Sequence, residues 1–479
     1  MGAQLNRWIW FLAMVLLLFV FGISTAFQNW YLPLTLLGVL FVLLMMLYPK
    51  QLFWLLVVSI PLSFEFHLDK KLGLDFPDEL LMLILVGATL LCLAVYRFKQ
   101  LQTFLQHPLF MLLFIQFIWI IVCCVHSQHP YLSLKYTLSK IWYFIPFTVV
   151  PLLVLNQRKA WVTLGYCIVL PVLAIAVYTM IRHSVSGFSF LKINDAAKPI
   201  FRNHVTYGAS LSIGFSVLLG MWIQSKRWRK NNWLVLAMLF LLTAIYFSYT
   251  RGTWVSVVLS AIASLFFLRN RIIPVLVIVF SSIVVFTSYM IYDDHYFSLQ
   301  PEFEKTIIHD NLSDHLDAMY SMKELSTSER FYRWIAAFRM STEHPVVGFG
   351  PSTFYSEYKP YADARFRTYV SENPEKSTVH NYFLLTMVEQ GFLGLIILTT
   401  LLLVFYVYCQ RLYFRFHDTF FKTIVLICFL IMTNIVIINF FSDMIETDKV
   451  GTFYFMCFGV LILLDSYHRN KAEESLRIE

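Results

Sequence analysis

The chain predicts an all-α, polytopic transmembrane helical bundle of about 12 to 14 spans, and three observations carry that expectation. Of its 479 residues, 58% are hydrophobic and 14% charged, and the mean hydropathy of +0.66 lies outside the range of soluble globular domains. Apolar runs of about 20 residues, long enough to cross a bilayer, recur along the whole sequence. One long stretch, 293–380, breaks the pattern with mixed polar and aromatic content. The expected organisation is therefore 1–292 as N-terminal transmembrane helices, 293–380 as a large extramembrane loop containing short helices, and 381–479 as C-terminal transmembrane helices with a short tail.

Taken in order, the apolar runs place helices near 8–24, 31–48, 52–66, 79–96, 109–125, 137–155, 160–181, 205–223, 232–250, 252–268, 272–292, 382–409, 421–441 and 450–467. The first run follows a single positive residue, Arg7, and many similar runs come after it, so it reads as a retained span and not a cleaved leader. The run at 52–66 is short and ends at Glu65, and the pair around Arg251 is tightly joined, which leaves room for half-spans. The seven cysteines all lie in or at the ends of apolar runs, without zinc-like spacing, and read as small core residues.

The positive charge sets the orientation. With the N-terminus in the cytoplasm, 18 of the 37 Lys and Arg fall in inner segments, against 10 in the short outer loops. The inner connections are mostly a few residues long, so an N-in, C-in arrangement is favoured and 293–380 faces outward. A net charge of +8 follows from this bias and does not call for nucleic acid, for which the chain shows no module.

Within the long loop, Ser328-Glu329-Arg330-Phe-Tyr-Arg333-Trp334-Ile-Ala-Ala-Phe338-Arg-Met340 has apolar residues at 331, 334, 335 and 338 and predicts an amphipathic helix ending before His344-Pro345. Gly348-Phe-Gly350-Pro351 predicts a turn.

By this topology Arg202, Arg251, Arg330 and His380 all fall on the outer side, and the candidate chemistry gathers there. Arg251, between two apolar runs and without an acidic neighbour in sequence, needs a partner or a water-filled cavity; the alternative is a guanidinium reaching to lipid headgroups. Arg330 and Arg333, one turn apart, could clamp an anion such as a phosphate from two sides. His380 stands where a helix begins, and a helix N-terminus disfavours imidazolium, keeping the ring neutral and able to accept a proton. Gly391 and Gly394, spaced i and i+3, offer a flat face for a neighbouring helix that would fix the ring. Glu65, Asp69, Asp75, Asp78 and Glu79 form a competing acidic constellation that could hold a divalent cation, interrupted by Lys70 and Lys71; a solvated loop is the other reading, and the expected site contains no metal.

These pieces resemble the superfamily of O-antigen ligases and polymerases. The resemblance lies in the Arg251-Gly252 pair after an apolar span, in Arg330 followed by Trp334 and Pro345-Val-Val-Gly348-Phe-Gly350, and in His380-Asn381 followed by Gly391-x-x-Gly394. It implies a bundle like that of the membrane-embedded GT-C glycosyltransferases and a multi-pass place in the bacterial inner membrane with the site facing the periplasm. It also implies a metal-independent, inverting transfer of a glycan from undecaprenyl diphosphate to an acceptor hydroxyl, on lipid A core or another glycan, with no cofactor. By the same resemblance Arg251 and Arg330 hold the diphosphate and His380 activates the acceptor, with Arg202, Arg333 and Asn381 as substrate-binding additions. Two rivals stay open: a repeat-unit polymerase of the same superfamily, and a transporter or flippase of lipid-linked sugars. The latter is expected to show internal repeats and charges deep in its spans, whereas here the charges gather at the outer edge.

Overall fold

A computed structural model describes residues 48–69, 72–95, 104–224, 232–299, 325–367 and 377–476, with Gly38, Gln102 and Ser371 as single residues. The helices expected at 8–24 and 31–48 therefore lie outside the described residues, as do Lys70, Lys71 and His309.

The chain is an α-helical, multi-pass protein. Helix α1 (Pro49–Leu62) leads into a two-stranded hairpin, β1 (Phe64–Asp69) and β2 (Leu72–Phe76), and then α2 (Asp78–Val95). Next come α3 (Pro108–Val125), α4 (Pro130–Phe144), α5 (Arg158–Ser184), α6 (His204–Gln224), α7 (Asn232–Tyr246), α8 (Arg251–Leu268) and α9 (Ile272–Ile291). The long loop holds α10 (Leu325–Glu343), and α11 (Tyr382–Arg415), α12 (Thr419–Ile438) and α13 (Asp448–Leu476) complete the chain. Among the described residues nine helices are long and apolar enough to cross a bilayer, and α1 and α7 are shorter apolar helices.

Two expectations are corrected. The run read as a helix over 52–66 ends at Leu62, and Phe64 onward is a strand: Phe64 pairs with Phe76 and Glu65 with Asp75 in antiparallel register. The physical reason is Pro61, which removes a helical N–H and stops the helix just as the apolar run continues. The helix expected to begin at 137 begins at Pro130, where proline suits a first turn, and continues through a π-turn at Ile145–Val149 to Val154.

Helices α6 and α13 form the centre, each with 83% of its apolar window buried, whereas α9 lies at the rim with 6% buried. Helix α12 packs against α6, α8 and α13. Inside this layer, polar side chains find partners as an apolar surround requires: Asn434 Nδ2 donates to Ser216 Oγ at 2.7 Å and Ser260 Oγ at 3.0 Å, joining α12 to α6 and α8.

The two ends of the bundle differ. At one, Asp465 accepts from His107 Nε2 (3.2 Å) and Arg469 (2.7 Å), and Arg158 pairs with Asp418. At the other, the starts of α6, α8, α11 and α13 meet the hairpin, α10 and the 439–447 turn.

Candidate active site

The helix expected over 328–340 is present as α10, and its indole and guanidinium side chains grip the segment that carries the histidine. Trp334 Nε1 donates to Val379 O at 3.1 Å, and Arg333 donates to Thr378 O at 3.5 Å. Thr378 Oγ1 in turn donates to Asp443 Oδ2 at 2.6 Å, and the His380 N–H reaches Thr378 Oγ1 at 3.5 Å. His380 follows with φ +56°, a left-handed backbone uncommon for a residue other than glycine.

Asn381 then returns to an extended φ of −157° and caps α11, its Oδ1 accepting from Phe383 N (3.0 Å) and Leu384 N (3.1 Å). Its carboxamide oxygen is thus engaged in starting the helix. The next N–H, of Tyr382, is shared by the carbonyls of Asn439 (2.9 Å) and Ser442 (3.1 Å).

The imidazole is held neutral. Burial, then the charges of Arg333 and Arg330, push the His380 pKa down to about 3. The expected cause was the helix terminus; the structure assigns the shift to desolvation and the two arginines. Those arginines are differently placed. Arg330 is half-buried, whereas Arg333 is buried, paired with Glu329 at 3.2 Å, and its Nε has no hydrogen-bond partner among the described residues.

Arg251 is the first residue of α8, behind the N-cap position Thr250, whose hydroxyl donates to His204 O at 2.9 Å. The Arg251 charge falls on His204, while those of Arg330 and Arg333 fall on His380. The two groups flank one turn: Gly252 packs on Phe441, an added Cβ there lying 3.5 Å from the Phe441 Cβ, and the same turn supplies Ser442 O and Asp443 to the histidine segment. Arg202 is exposed and pairs with Glu65 at 2.6 Å, which places it beside the hairpin.

Gly391 and Gly394 do not form a flat helix face. Gly391 has φ +71° and breaks α11; the Val388 carbonyl accepts from Phe349 N (3.0 Å) and the Glu389 carbonyl from Gly350 N (3.0 Å), while Phe392 N donates to Pro345 O (2.8 Å). The helix thus exchanges its own hydrogen bonds for bonds to the 345–350 turn. A Cβ on Gly391 would sit 2.0 Å from Val346 O, and one on Gly348, φ +68°, 2.4 Å from Val388 O, so both positions require glycine. Glu389 seals the junction, accepting from Ser352 N (2.8 Å) and Phe354 N (3.2 Å).

Thr378, Asp443 and Glu389 were not anticipated from sequence. Asp443 carried the available signal, a carboxylate that with Glu446 and Asp448 sits in a short segment between two apolar runs.

Of the acidic constellation, Asp75 and Glu79 converge, and with Asp448 from the far end of the chain their carboxylate oxygens lie within 4.8 Å of one another.

Residues 236–399 match the family model described as O-antigen ligase (Wzy_C), a segment that contains Arg251, Arg330, Arg333, His380 and Asn381 but not Arg202. Among curated proteins no match is found.

Proposed function

With an O-antigen ligase domain at 236–399 as the premise, we propose that this protein moves a glycan from a polyprenyl diphosphate, undecaprenyl diphosphate in bacteria, to an acceptor hydroxyl. The reaction takes place at the periplasmic face of the inner membrane, with lipid A core or a similar glycan as acceptor. The segments 1–292 and 381–479 form the membrane-embedded body, and 293–380 covers the outer mouth.

This reading is supported by the placement of His380 within electrostatic reach of Arg330 and Arg333, on a segment that Arg333 and Trp334 hold through the carbonyls of Thr378 and Val379. Arg330 and Arg251 take the diphosphate, and the unpartnered Arg333 Nε–H adds a donor toward the same anion. His380 removes the acceptor proton as the hydroxyl attacks the anomeric carbon, inverting it, and the departing diphosphate leaves against the arginines. A bare ring with a pKa near 3 is a weak base at neutral pH. A bound diphosphate offsets the charges of Arg333 and Arg330 and so raises the ring's proton affinity, which couples base strength to donor occupancy. Asn381 and Arg202 act further out, Asn381 by starting α11 and Arg202 at the hairpin.

The test is transfer by purified protein supplied with lipid-linked donor and acceptor. His380→Ala is expected to lower turnover by about 100-fold to 10,000-fold, the worth of positioned base catalysis, at normal protein levels. Transfer that survives His380→Ala or Arg251→Ala defeats the assignment. Transfer to a second lipid-linked repeat, and not to lipid A core, would make the protein a polymerase acting by the same chemistry.

A further inference from the structure

Outside the arginine and histidine group, the outer end of the bundle holds a second cluster of charge. Asp75 lies near the end of β2, Glu79 in the first turn of α2, and Asp448 opens α13, so three separate elements deliver carboxylates to one point. Their oxygens all lie within 4.8 Å of one another. Oxygens this close can be drawn onto one hard cation, and a cage of protein carboxylates suits Ca²⁺ better than Mg²⁺, which keeps several of its waters.

The side chains around the cluster point the same way. Asp448 is 6% exposed; its Oδ1 accepts from the Tyr143 hydroxyl, and its Oδ2 has no hydrogen-bond partner among the described residues. A buried carboxylate oxygen without a donor is costly unless a cation or proton meets it. The neighbouring cations, Lys449 and Arg202, act on the cluster through their charge while their hydrogen bonds go to other groups. Lys449 Nζ is turned to Ser63 O (2.7 Å), Ser63 Oγ (2.8 Å), Ile60 O (3.2 Å) and Pro61 O (3.3 Å), and Arg202 pairs with Glu65. Asp78, fully buried and within electrostatic reach of Asp448 and Asp75, adds a further carboxyl beside the three.

We propose that Asp75, Glu79 and Asp448 bind a hard divalent cation of the Ca²⁺ class, which ties the β1–β2 hairpin and the start of α2 to the start of α13. The ion reinforces the outer end of the bundle and takes no part in the chemistry at His380, so the proposal stands or falls separately from the transferase reading.

Full-length protein in detergent, stripped with a chelator, is titrated with CaCl2 while thermal unfolding is followed, and with Mn²⁺ while the free-ion electron paramagnetic resonance signal is followed. The expected result is a saturable rise in melting temperature and saturable loss of free Mn²⁺ signal. Asp75→Asn and Glu79→Gln are each expected to weaken both by at least about ten-fold, a loss that even outer partners of a bound metal can cause. Asp195→Asn, at an exposed acid elsewhere, is expected to change neither. Asp448→Asn also disturbs the Tyr143 contact and can misfold, so the decision rests on half-buried Asp75 and Glu79. Absence of saturable binding up to about 10 mM, beyond the ~10⁻³ M of weak extracellular Ca²⁺ modules, overturns the proposal and leaves shared protons to satisfy the carboxylates. Binding equal to wild type in both variants overturns it as well.

Discussion

His380 concentrates what a single residue decides here. Its proton affinity is lower in the folded chain than in the unfolded one, so between about pH 3 and 6.5 the unfolded chain binds the extra proton and stability rises with pH. Stability from this group is complete above about pH 6.5 and is lost as the solution is acidified toward 3; acid unfolding followed in detergent should shift to lower pH in His380→Gln. The same field makes a kinetic forecast. The acid limb of kcat/KM, which reports the free enzyme, should fall below the ordinary histidine range, and the acid limb of kcat, which reports the donor complex, should lie higher. Identical limbs would show that the donor does not offset the arginines. Asp443, its carboxyl pushed upward by burial, holds Thr378 and through it the histidine backbone. Asp443→Ala is expected to reduce turnover more than it raises donor KM, since what it loosens is the Thr378 support of the histidine backbone. Arg251 and His380 stood out in the sequence as charged or titratable groups at the edges of apolar runs, and Arg330 as a charge on an amphipathic helix within the long loop; their roles rest on the transfer assay. Thr378 and Asp443 did not stand out, because their contact joins positions 65 apart that no local pattern links.

Among the elements, α10 was readable from its 3.6-residue period, and the break in α11 was misread. Two glycines at i and i+3 look alike in sequence whether they flatten a helix or interrupt it; only the incoming Pro345–Gly350 turn distinguishes the cases. Gly391→Ala must hold φ +71° with ψ 179°, a region essentially reserved for glycine, costing about 1–3 kcal/mol, and also relieve a 2.0 Å approach to Val346 O. Thermal unfolding of that variant should fall by more than the backbone cost alone, and transfer should fall with it. The hairpin escaped notice because its apolar residues prolong the run of α1 and the sequence between its strands offers no Asn-Gly or Asp-Gly signature. The three-helix contact of Asn434 predicts a smaller effect: Asn434→Ala should cost about 0.6 kcal/mol and at most about 1.7, because Ser216 and Ser260 keep bonds to Ser212 O and Val257 O.

For the molecule as a whole, helical class and membrane character were legible from composition, while the number and limits of the spans were less so, because prolines end some apolar runs and open others. Orientation is open to direct test. In a variant lacking native cysteines, exposed Lys359→Cys is expected to react with an impermeant maleimide in intact cells and exposed Lys159→Cys only after lysis. The reverse pattern would invert the topology.

The interruption at Gly391 also acts as a ruler. Residues 392–415 extend about 36 Å and suffice for a hydrocarbon layer about 30 Å thick, so the preceding nine residues rise about 13 Å above it. Counted this way, residue number sets the altitude of the imidazole, about 13 Å above the hydrocarbon and beyond a headgroup layer about 5–7 Å deep. Inserting or deleting one helical turn within 382–390 would move the ring by about 5 Å relative to the bilayer.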